Sequence, residues 1–158
     1  MRLTPIRVYV DTSVFGGIYD DEFAEPSSAF FSLAREDRFH LLTSPLVIAE
    51  LRDAPPDVRE LYERFEPLLD LAPVTAAVLT LRDAYLAAGV VTARWADDAI
   101  HVATATVHDA ELIVSWNFRH MVNYERIRGY NAVNLLNGYR TLDIRTPQEV
   151  LGDEDEEI

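Results

Sequence analysis

Short apolar stretches rich in β-branched residues alternate along the chain with longer stretches whose apolar residues recur at helical spacing. The short stretches predict strands, the first of which ends at Asp11-Thr12-Ser13 and should run into a loop before Gly16-Gly17. The predicted strands are Ile6–Val10, Phe39–Thr43, 71–74, 112–115 and an edge strand at 142–144.

The longer stretches predict helices with recognisable starts and stops. Pro26-Ser27-Ser28 and Ser44-Pro45 have the residues of helix starts, and Gly89 and Gly138 are suitable stops. In the helix after Pro45, the side chains of Val47, Ile48 and Leu51 should face inward, with Glu50 among them. The other predicted helices are 57–69, 75–88, 95–108 and Tyr124–Leu136.

This alternation predicts an α/β fold with a mostly parallel sheet covered on both faces. In such sheets, functional groups gather at the carboxyl ends of the strands. Asp11 and Asn117 both follow predicted strands directly, so they are the first candidates for a site.

The chain has the length and composition of one folded domain. It has 158 residues, of which 49% are hydrophobic, which favours one globular domain at 1–152. Residues 153–158 form an acidic tail that we expect to be disordered. The chain lacks cysteine, which excludes disulfides and zinc-thiolate sites. The absence of a signal-like segment and of any apolar run of about 20 residues favours a cytoplasmic protein without membrane contact.

The net charge is unusual for a protein that binds nucleic acid. Fourteen basic residues, all arginine, stand against 27 acidic ones, giving a formal charge of -13. Nucleic-acid binders are usually basic. Some of these acids would be neutralised if they held divalent cations, and arginine suits bidentate contacts to phosphate. The charge therefore directs attention to isolated acids inside apolar segments.

Asp11 is the strongest of these isolated acids. It follows five strand residues and should lie at the end of the sheet, where burying a carboxylate is costly without a cation or a hydrogen-bond donor. A turn or helix cap is the structural alternative. A haloacid-dehalogenase phosphatase would need an acid where Ser13 stands, and a receiver domain would need an acidic pair before this strand. Both enzyme classes are therefore minor alternatives.

Other acids interrupt later apolar segments. Glu50 lies in a helical apolar stretch, where a buried arginine partner would be the structural explanation. Asp97 and Asp98 are adjacent on a predicted helix and point about 100° apart, so only one should reach a site shared with Asp11. His101 lies on the same helix, where packing is the commoner role of a lone histidine. Dispersed acids of this kind suit Mg²⁺ or Mn²⁺, which can activate water and stabilise a phosphoryl oxyanion.

Four motifs in this order resemble the PIN-domain family, and the resemblance spans nearly the whole chain. The motifs are the segments 8–13 (VYVDTS), 44–51 (SPLVIAEL), 98–105 (DAIHVATA) and 112–117 (LIVSWN). Each motif alone is weak, but four in the correct order and spacing are specific. PIN domains are three-layer α/β/α nucleases, so the resemblance implies this architecture.

The resemblance also implies the residues of the site. It implies that Asp11, Glu50 and Asp98 bind Mg²⁺ or Mn²⁺, and it selects Asp98 over Asp97. Asn117 stands where the family often has a fourth acid; we expect it to position a water or a second cation, which should bind less firmly because an amide contributes no charge. Hydroxyl groups matching supporting positions are those of Thr12, Ser13 and Ser115.

Small PIN proteins are most often similar to the VapC-like toxins of two-gene toxin-antitoxin pairs. The resemblance thus implies an endoribonuclease that acts on RNA, is silenced by a cognate antitoxin protein, and forms a homodimer. Phosphate contacts are expected from Arg119, Arg126 and Arg128, which follow the last core strand. A PIN-like module that binds RNA or protein with little catalysis is the alternative, supported by Asn117 and by the acidic charge.

Overall fold

A parallel five-stranded sheet forms the centre of the molecule. The structure is a computed structural model that describes residues 5–152. The strands lie in the order β3-β2-β1-β4-β5, and every neighbouring pair is parallel. They are β1 (Ile6–Val10), β2 (Phe39–Thr43), β3 (Leu69–Leu71), β4 (Leu112–Val114) and β5 (Asp143–Arg145).

Helices connect the strands. They are α1 (Thr12–Gly17), α2 (Ala24–Ala34), α3 (Pro45–Leu51), α4 (Pro56–Phe65), α5 (Ala76–Ala87), α6 (Ala96–Val107), α7 (Tyr124–Leu136) and α8 (Pro147–Leu151). Two short 3₁₀ turns precede β3 and α6. Among residues 5–152, none of the helices has both the length and the apolar character that a membrane crossing needs. The tail at 153–158 lies outside the described residues, so its predicted disorder stays a prediction.

The helices form two groups that flank the sheet. Helix α1 contacts α2 and α4, and α2 also contacts α8; in the other group, α5 contacts both α6 and α7. Strand β1 is central, and its last three residues are fully buried because both faces of the sheet are covered. The predicted three-layer α/β/α architecture with a parallel sheet is therefore confirmed.

Several elements have the predicted bounds. Strands β1 and β2 and helix α7 begin and end where the pattern placed them, because capping residues or abrupt changes in polarity mark their ends. The side chain of Asn123 accepts a hydrogen bond from the backbone N–H of Arg126 at the start of α7. Gly89 and Gly138, predicted as stops, have φ angles of 74° and 83°, which are left-handed conformations that favour glycine.

The segment after Asp11 corrects one prediction. A loop was expected there, but Thr12–Gly17 forms helix α1, and Asp11 is its N-cap residue. Only glycine fits at position 17, because a Cβ there would lie 2.7 Å from the indole Nε1 of Trp116. Of the two glycines that indicated a loop, Gly17 is thus explained by close packing.

Other predicted bounds shift by a few residues. Helix α2 begins at Ala24, two residues before the expected proline start, and the helix predicted over 57–69 ends at Phe65. The strand expected at 71–74 forms at Leu69–Leu71, in parallel register with β2. The side chain of Ile48, expected to face inward, is 39% exposed, whereas Val47 and Leu51 are buried.

Helix α8 was not predicted, since the pattern indicated only an edge strand at 142–144, before Pro147. Pro147 instead occupies the first turn of α8, where a missing N–H costs nothing. Thr146 and Glu149 complete a capping box in front of it. Helix α8 packs against α2 and extends the layer on that face.

Candidate metal and nucleic-acid site

The carboxylate of Asp11 lies at the carboxyl end of the central strand. It is almost completely buried, with a side-chain exposure of 8%. Its Oδ2 accepts hydrogen bonds from the hydroxyls of Ser13, at 2.7 Å, and Ser115, at 2.8 Å. Its Oδ1 lies 3.7 Å from His101 Nε2, too far for a hydrogen bond. Within residues 5–152, that oxygen has no hydrogen-bond donor.

Glu50 approaches Asp11 from helix α3. Its Oε1 accepts hydrogen bonds from the Thr12 hydroxyl, at 2.6 Å, and from His101 Nε2, at 2.7 Å. Burial favours the neutral acid, but these two hydrogen bonds and the charge of His101 lower the pKa of Glu50 below its ordinary value. Glu50 is therefore an ionised carboxylate, and its side chain is one-third exposed (33%).

His101 is buried behind the two carboxylates. Its Nδ1 lies 2.6 Å from the Tyr9 hydroxyl, which in turn lies 2.7 Å from Ser44 Oγ. Burial favours the neutral imidazole, but the hydrogen bond to Glu50 and the charges of Asp11 and Glu50 outweigh it and raise the pKa of His101. His101 thus orients Glu50, and Tyr9 and Ser44 orient His101 in turn.

Asp11, Glu50 and His101 form the group whose geometry could hold a metal ion. One ligand atom of each lies within 4.8 Å of the others. The two carboxylates are hard oxygen ligands. Oδ1 of Asp11 accepts no hydrogen bond, so a cation bound there would compensate the burial of the carboxylate. Nε2 of His101 already contacts Glu50, so these contacts suit a His101 that supports Glu50 as a ligand rather than one that binds the ion itself.

Asp98, the third predicted ligand, is outside this three-residue group. It lies on α6, and its Oδ2 is 3.0 Å from Nδ1 of His120, whose ring packs on Trp95 with centroids 4.3 Å apart. Burial and the nearby charge of Asp11 raise the pKa of Asp98, although the charge of His120 opposes the rise. The charges of Asp98 and Asp11 therefore interact, whereas Asp97 is exposed on the same turn.

Asn117 organises the turn after β4. Its Oδ1 accepts hydrogen bonds from the backbone N–H groups of Arg119, at 3.2 Å, and His120, at 3.0 Å. Its backbone N–H donates to Ser115 Oγ at 2.9 Å. The amide oxygen expected to position a water or a second ion thus also holds the turn that carries His120 to Asp98.

An open pocket of about 480 Å³ lies beside this site. Its lining residues are Glu50, Arg94, Trp95, Asp97, Asp98, Asn117, Arg119 and His120. The other two arginines expected to contact RNA are not among its lining residues. Arg126 donates a hydrogen bond to the carbonyl of Val90, and the guanidinium of Arg128 lies over the Tyr124 ring at 5.6 Å. RNA contacts by Arg126 and Arg128 stay predictions.

Sequence reasoning placed His120 beside Arg119 at the rim of the site but did not predict its contact with Asp98, and it gave no site role to Trp95 or Arg94. His120 has no ligand spacing with another histidine, and its partner Asp98 lies on a different element of the chain. The signal that could have identified it is its position three residues after Asn117, in a turn that the asparagine side chain closes.

The fold belongs to a class in which helices flank a parallel five-stranded sheet and acids gather at the carboxyl end of its central strand. No protein-family model matches the chain, and no curated protein matches its sequence.

Solved structures share this fold at low sequence identity. FitAcB from Neisseria gonorrhoeae is 16% identical, with a TM-score of 0.57 over 89% of this chain and 98% of that one. VapBC2 from Rickettsia felis, bound to a DNA fragment from the promoter, is 13% identical, with a TM-score of 0.59 over the same shares. FitAB bound to the IR36 DNA fragment is 17% identical, with a TM-score of 0.56 over 89% and 94%.

The raised pKa of Asp98 predicts that removing its charge stabilises the metal-free protein. The folded state disfavours the ionised carboxylate, so the wild type loses stability as pH rises through that pKa. In chelator at pH 7, Asp98→Asn should melt on the order of 2 °C above wild type. The difference should shrink as pH falls towards 4. Thermal melts across this range measure it.

The matched control is Asp97→Asn, which removes an exposed charge from the same turn and should leave the melting temperature unchanged. If Asp98→Asn melts below wild type at pH 7, the contact with His120 stabilises the fold more than the buried charge destabilises it.

Proposed function

We propose that this chain is a Mg²⁺- or Mn²⁺-dependent endoribonuclease and the toxin of a toxin-antitoxin pair. The observation that carries the proposal is the buried Asp11 carboxylate, one oxygen of which has no hydrogen-bond donor. Glu50 lies beside this carboxylate, and the charge of Asp98 interacts with it. Three acids so arranged on separate elements suit a hard cation better than they suit a structural role. The PIN-like order of the motifs and the shared fold support the same conclusion.

In this proposal Asp11, Glu50 and Asp98 hold the cation. The bound ion would supply Lewis-acid activation of water and charge neutralisation at the scissile phosphate. Ser13 and Ser115 donate to Oδ2 of Asp11 and so leave Oδ1 available to the cation.

Residues around these ligands keep them in place. Thr12 and His101 fix the rotamer of Glu50, which limits the entropy lost when a ligand binds. His120 holds Asp98, and Asn117 holds the turn that carries His120.

RNA reaches the site against the overall charge of the protein. With a formal charge of -13, the chain repels phosphates at long range, so binding needs a local group of cations. Arg94 and Arg119 line the pocket and are the nearest candidates for phosphate contacts. Arg126 and Arg128 follow on α7 and belong to the same proposal as secondary contacts.

The proposed partner is a cognate antitoxin. One structure that shares the fold is a VapBC2 complex, which fits a chain that associates with a second protein. An acidic pocket attracts cations, so an inhibitor of this site would insert a positive side chain, most effectively an arginine, towards Asp11, Glu50 and Asp98. A homodimer of the chain is part of the same proposal.

A binding module without turnover is the second candidate. The observation that favours it is the position of Asn117, where a fourth acid would add a negative charge to the pocket. The amide oxygen there is already engaged by two backbone N–H groups. Cleavage measured with and without metal distinguishes the two functions.

RNA cleavage should require Mg²⁺ or Mn²⁺, because the site consists of carboxylates that alone cannot stabilise an anionic transition state. Excess chelator should lower the rate by about 1,000-fold or more, and added Mg²⁺ should restore it. A labelled RNA incubated with the purified protein measures the rate. Cleavage that continues undiminished in chelator would contradict the metal mechanism, and no cleavage under any condition would favour the binding module.

Neutralising Asp98 should abolish cleavage, whereas neutralising Asp97 should not. Asp98→Asn removes a charge that couples to Asp11, so the cleavage rate should fall about 100-fold or more, and Asp97→Asn should stay within about threefold of wild type. The control is Mg²⁺ affinity measured by calorimetry on both variants. The opposite ranking would mean that Asp97 is the ligand.

Reversing the charge of Arg119 should weaken RNA binding. Arg119→Glu places a negative charge in the pocket, and the slope of log affinity against log salt should fall by about one or more. The matched control is Arg140→Glu, since Arg140 is exposed and pairs with Asp109, before the amino end of β4. Fluorescence anisotropy with labelled RNA measures both. If the two variants bind alike, Arg119 is not a phosphate contact.

A further inference from the structure

Three aromatic side chains cluster beside the turn after β4, in which Asn117 and Arg119 line the pocket. The ring of Phe23 stacks on Trp116, with centroids 4.1 Å apart and planes 17° apart. Phe118 lies 6.1 Å from each of these rings and is tilted against both. Phe118 is 51% exposed, although burial would be favourable for so large an apolar side chain. We call Phe23, Trp116 and Phe118 the aromatic cluster.

Contacts with Ser27 and Gly17 hold the Trp116 ring of the cluster in place. The indole Nε1 of Trp116 donates a hydrogen bond to Ser27 Oγ at 2.9 Å, and Ser27 is fully buried. Gly17 provides the space for the indole, since a Cβ there would lie 2.7 Å from Nε1. A flat ligand that stacks on the cluster would therefore not need to order the Trp116 ring.

The exposure of Phe118 follows from the turn that contains it. Asn117 Oδ1 accepts hydrogen bonds from the backbone of Arg119 and His120, which closes the turn and leaves residue 118 at its tip. His120 points back to Asp98, so the turn is anchored on its inner side. An exposed aromatic residue at the tip of an anchored turn is available to a ligand.

The backbone of Trp116 joins the cluster to the proposed metal site. The backbone N–H of Trp116 donates to Ser13 Oγ at 2.9 Å, and this hydroxyl donates to Oδ2 of Asp11. Two hydrogen bonds thus connect the cluster to the Asp11 carboxylate. Arg119, which lines the pocket, follows Phe118 directly in the chain.

We propose that the aromatic cluster of Phe23, Trp116 and Phe118 is a base-stacking subsite that holds an unpaired nucleotide of the RNA next to the scissile phosphodiester. This inference rests on the proposed function and adds a substrate feature to it, namely a single-stranded nucleotide beside the cleavage position. Every base has a π face, so such a subsite selects unpaired RNA rather than one sequence.

The acidity of the protein favours this occupant. A protein with a charge of -13 gains little from phosphates away from its few pocket arginines, whereas a nucleobase is neutral and is not repelled. Stacking on an aromatic ring contributes about tenfold or more in affinity for each base. The cluster therefore supplies binding that the electrostatics of this chain cannot supply.

Binding of two labelled RNA decamers in chelator tests the subsite without cleavage. One decamer is oligoadenylate, and the other has the same backbone with abasic positions throughout. Wild type should bind oligoadenylate about tenfold or more tightly than the abasic decamer. Phe118→Ala should lose most of this preference without changing affinity for the abasic decamer, and Phe118→Trp should keep it. Fluorescence anisotropy measures all six affinities.

Two controls make the result specific. Leu136→Ala removes an apolar side chain that is 85% exposed near the end of α7, and it should bind both decamers like wild type. Arg119→Glu should weaken both decamers equally, since they share the phosphates. Because Phe118 is half exposed, its variants should fold, and thermal melts verify this.

The remaining outcomes overturn the subsite and leave the proposed function open to its own test. Equal binding of the two decamers by wild type, or an unchanged preference in Phe118→Ala, means that the cluster does not stack bases and faces a protein partner or solvent instead. The cleavage assay with and without Mg²⁺ is independent of this outcome. A stacking preference without cleavage would retain the subsite and refute the nuclease.

Discussion

Burial of the Asp11 carboxylate at the end of the central strand is the constraint on which the rest of the site depends. A buried anion is costly unless donors or cations compensate it. Two hydroxyls compensate one of its oxygens, that of Ser13 in α1 and that of Ser115 directly after β4. The sheet order places these segments side by side, because β4 neighbours β1 although α2 to α6 separate them in the chain.

The elements of the fold could be predicted where local chemistry specifies them. Strand Ile6–Val10 and helix Tyr124–Leu136 are marked by apolar runs and by capping residues, and both have the predicted bounds. Gly17 was misleading because the reason for a glycine there is the Trp116 indole, a contact across 99 positions of sequence. Pro147 was misleading because a proline suits both the end of one element and the first turn of the next.

The site could be predicted as a set of acids but not as a network. The pattern marked Asp11 and Glu50 as isolated acids, because an acid that interrupts an apolar stretch is visible in the chain itself, and the resemblance then assigned both to the site. The contact of Asp98 with His120 joins two elements 22 positions apart, and the distance of Asp98 from the three-residue group depends on how α6 lies on the sheet. Such information resides in tertiary packing, which the pattern of one sequence does not contain.

Two connections at the carboxyl end of the sheet are one residue long. Only Asp11 separates β1 from α1, and only Ser44 separates β2 from α3. Each of these residues also makes a contact of the site, Asp11 through its carboxylate and Ser44 through Tyr9. The chain therefore has no spare length there, and a single inserted residue would displace a functional group. At the opposite end of the sheet, an inserted residue in a turn such as the one at Gly138 would displace no group of the site.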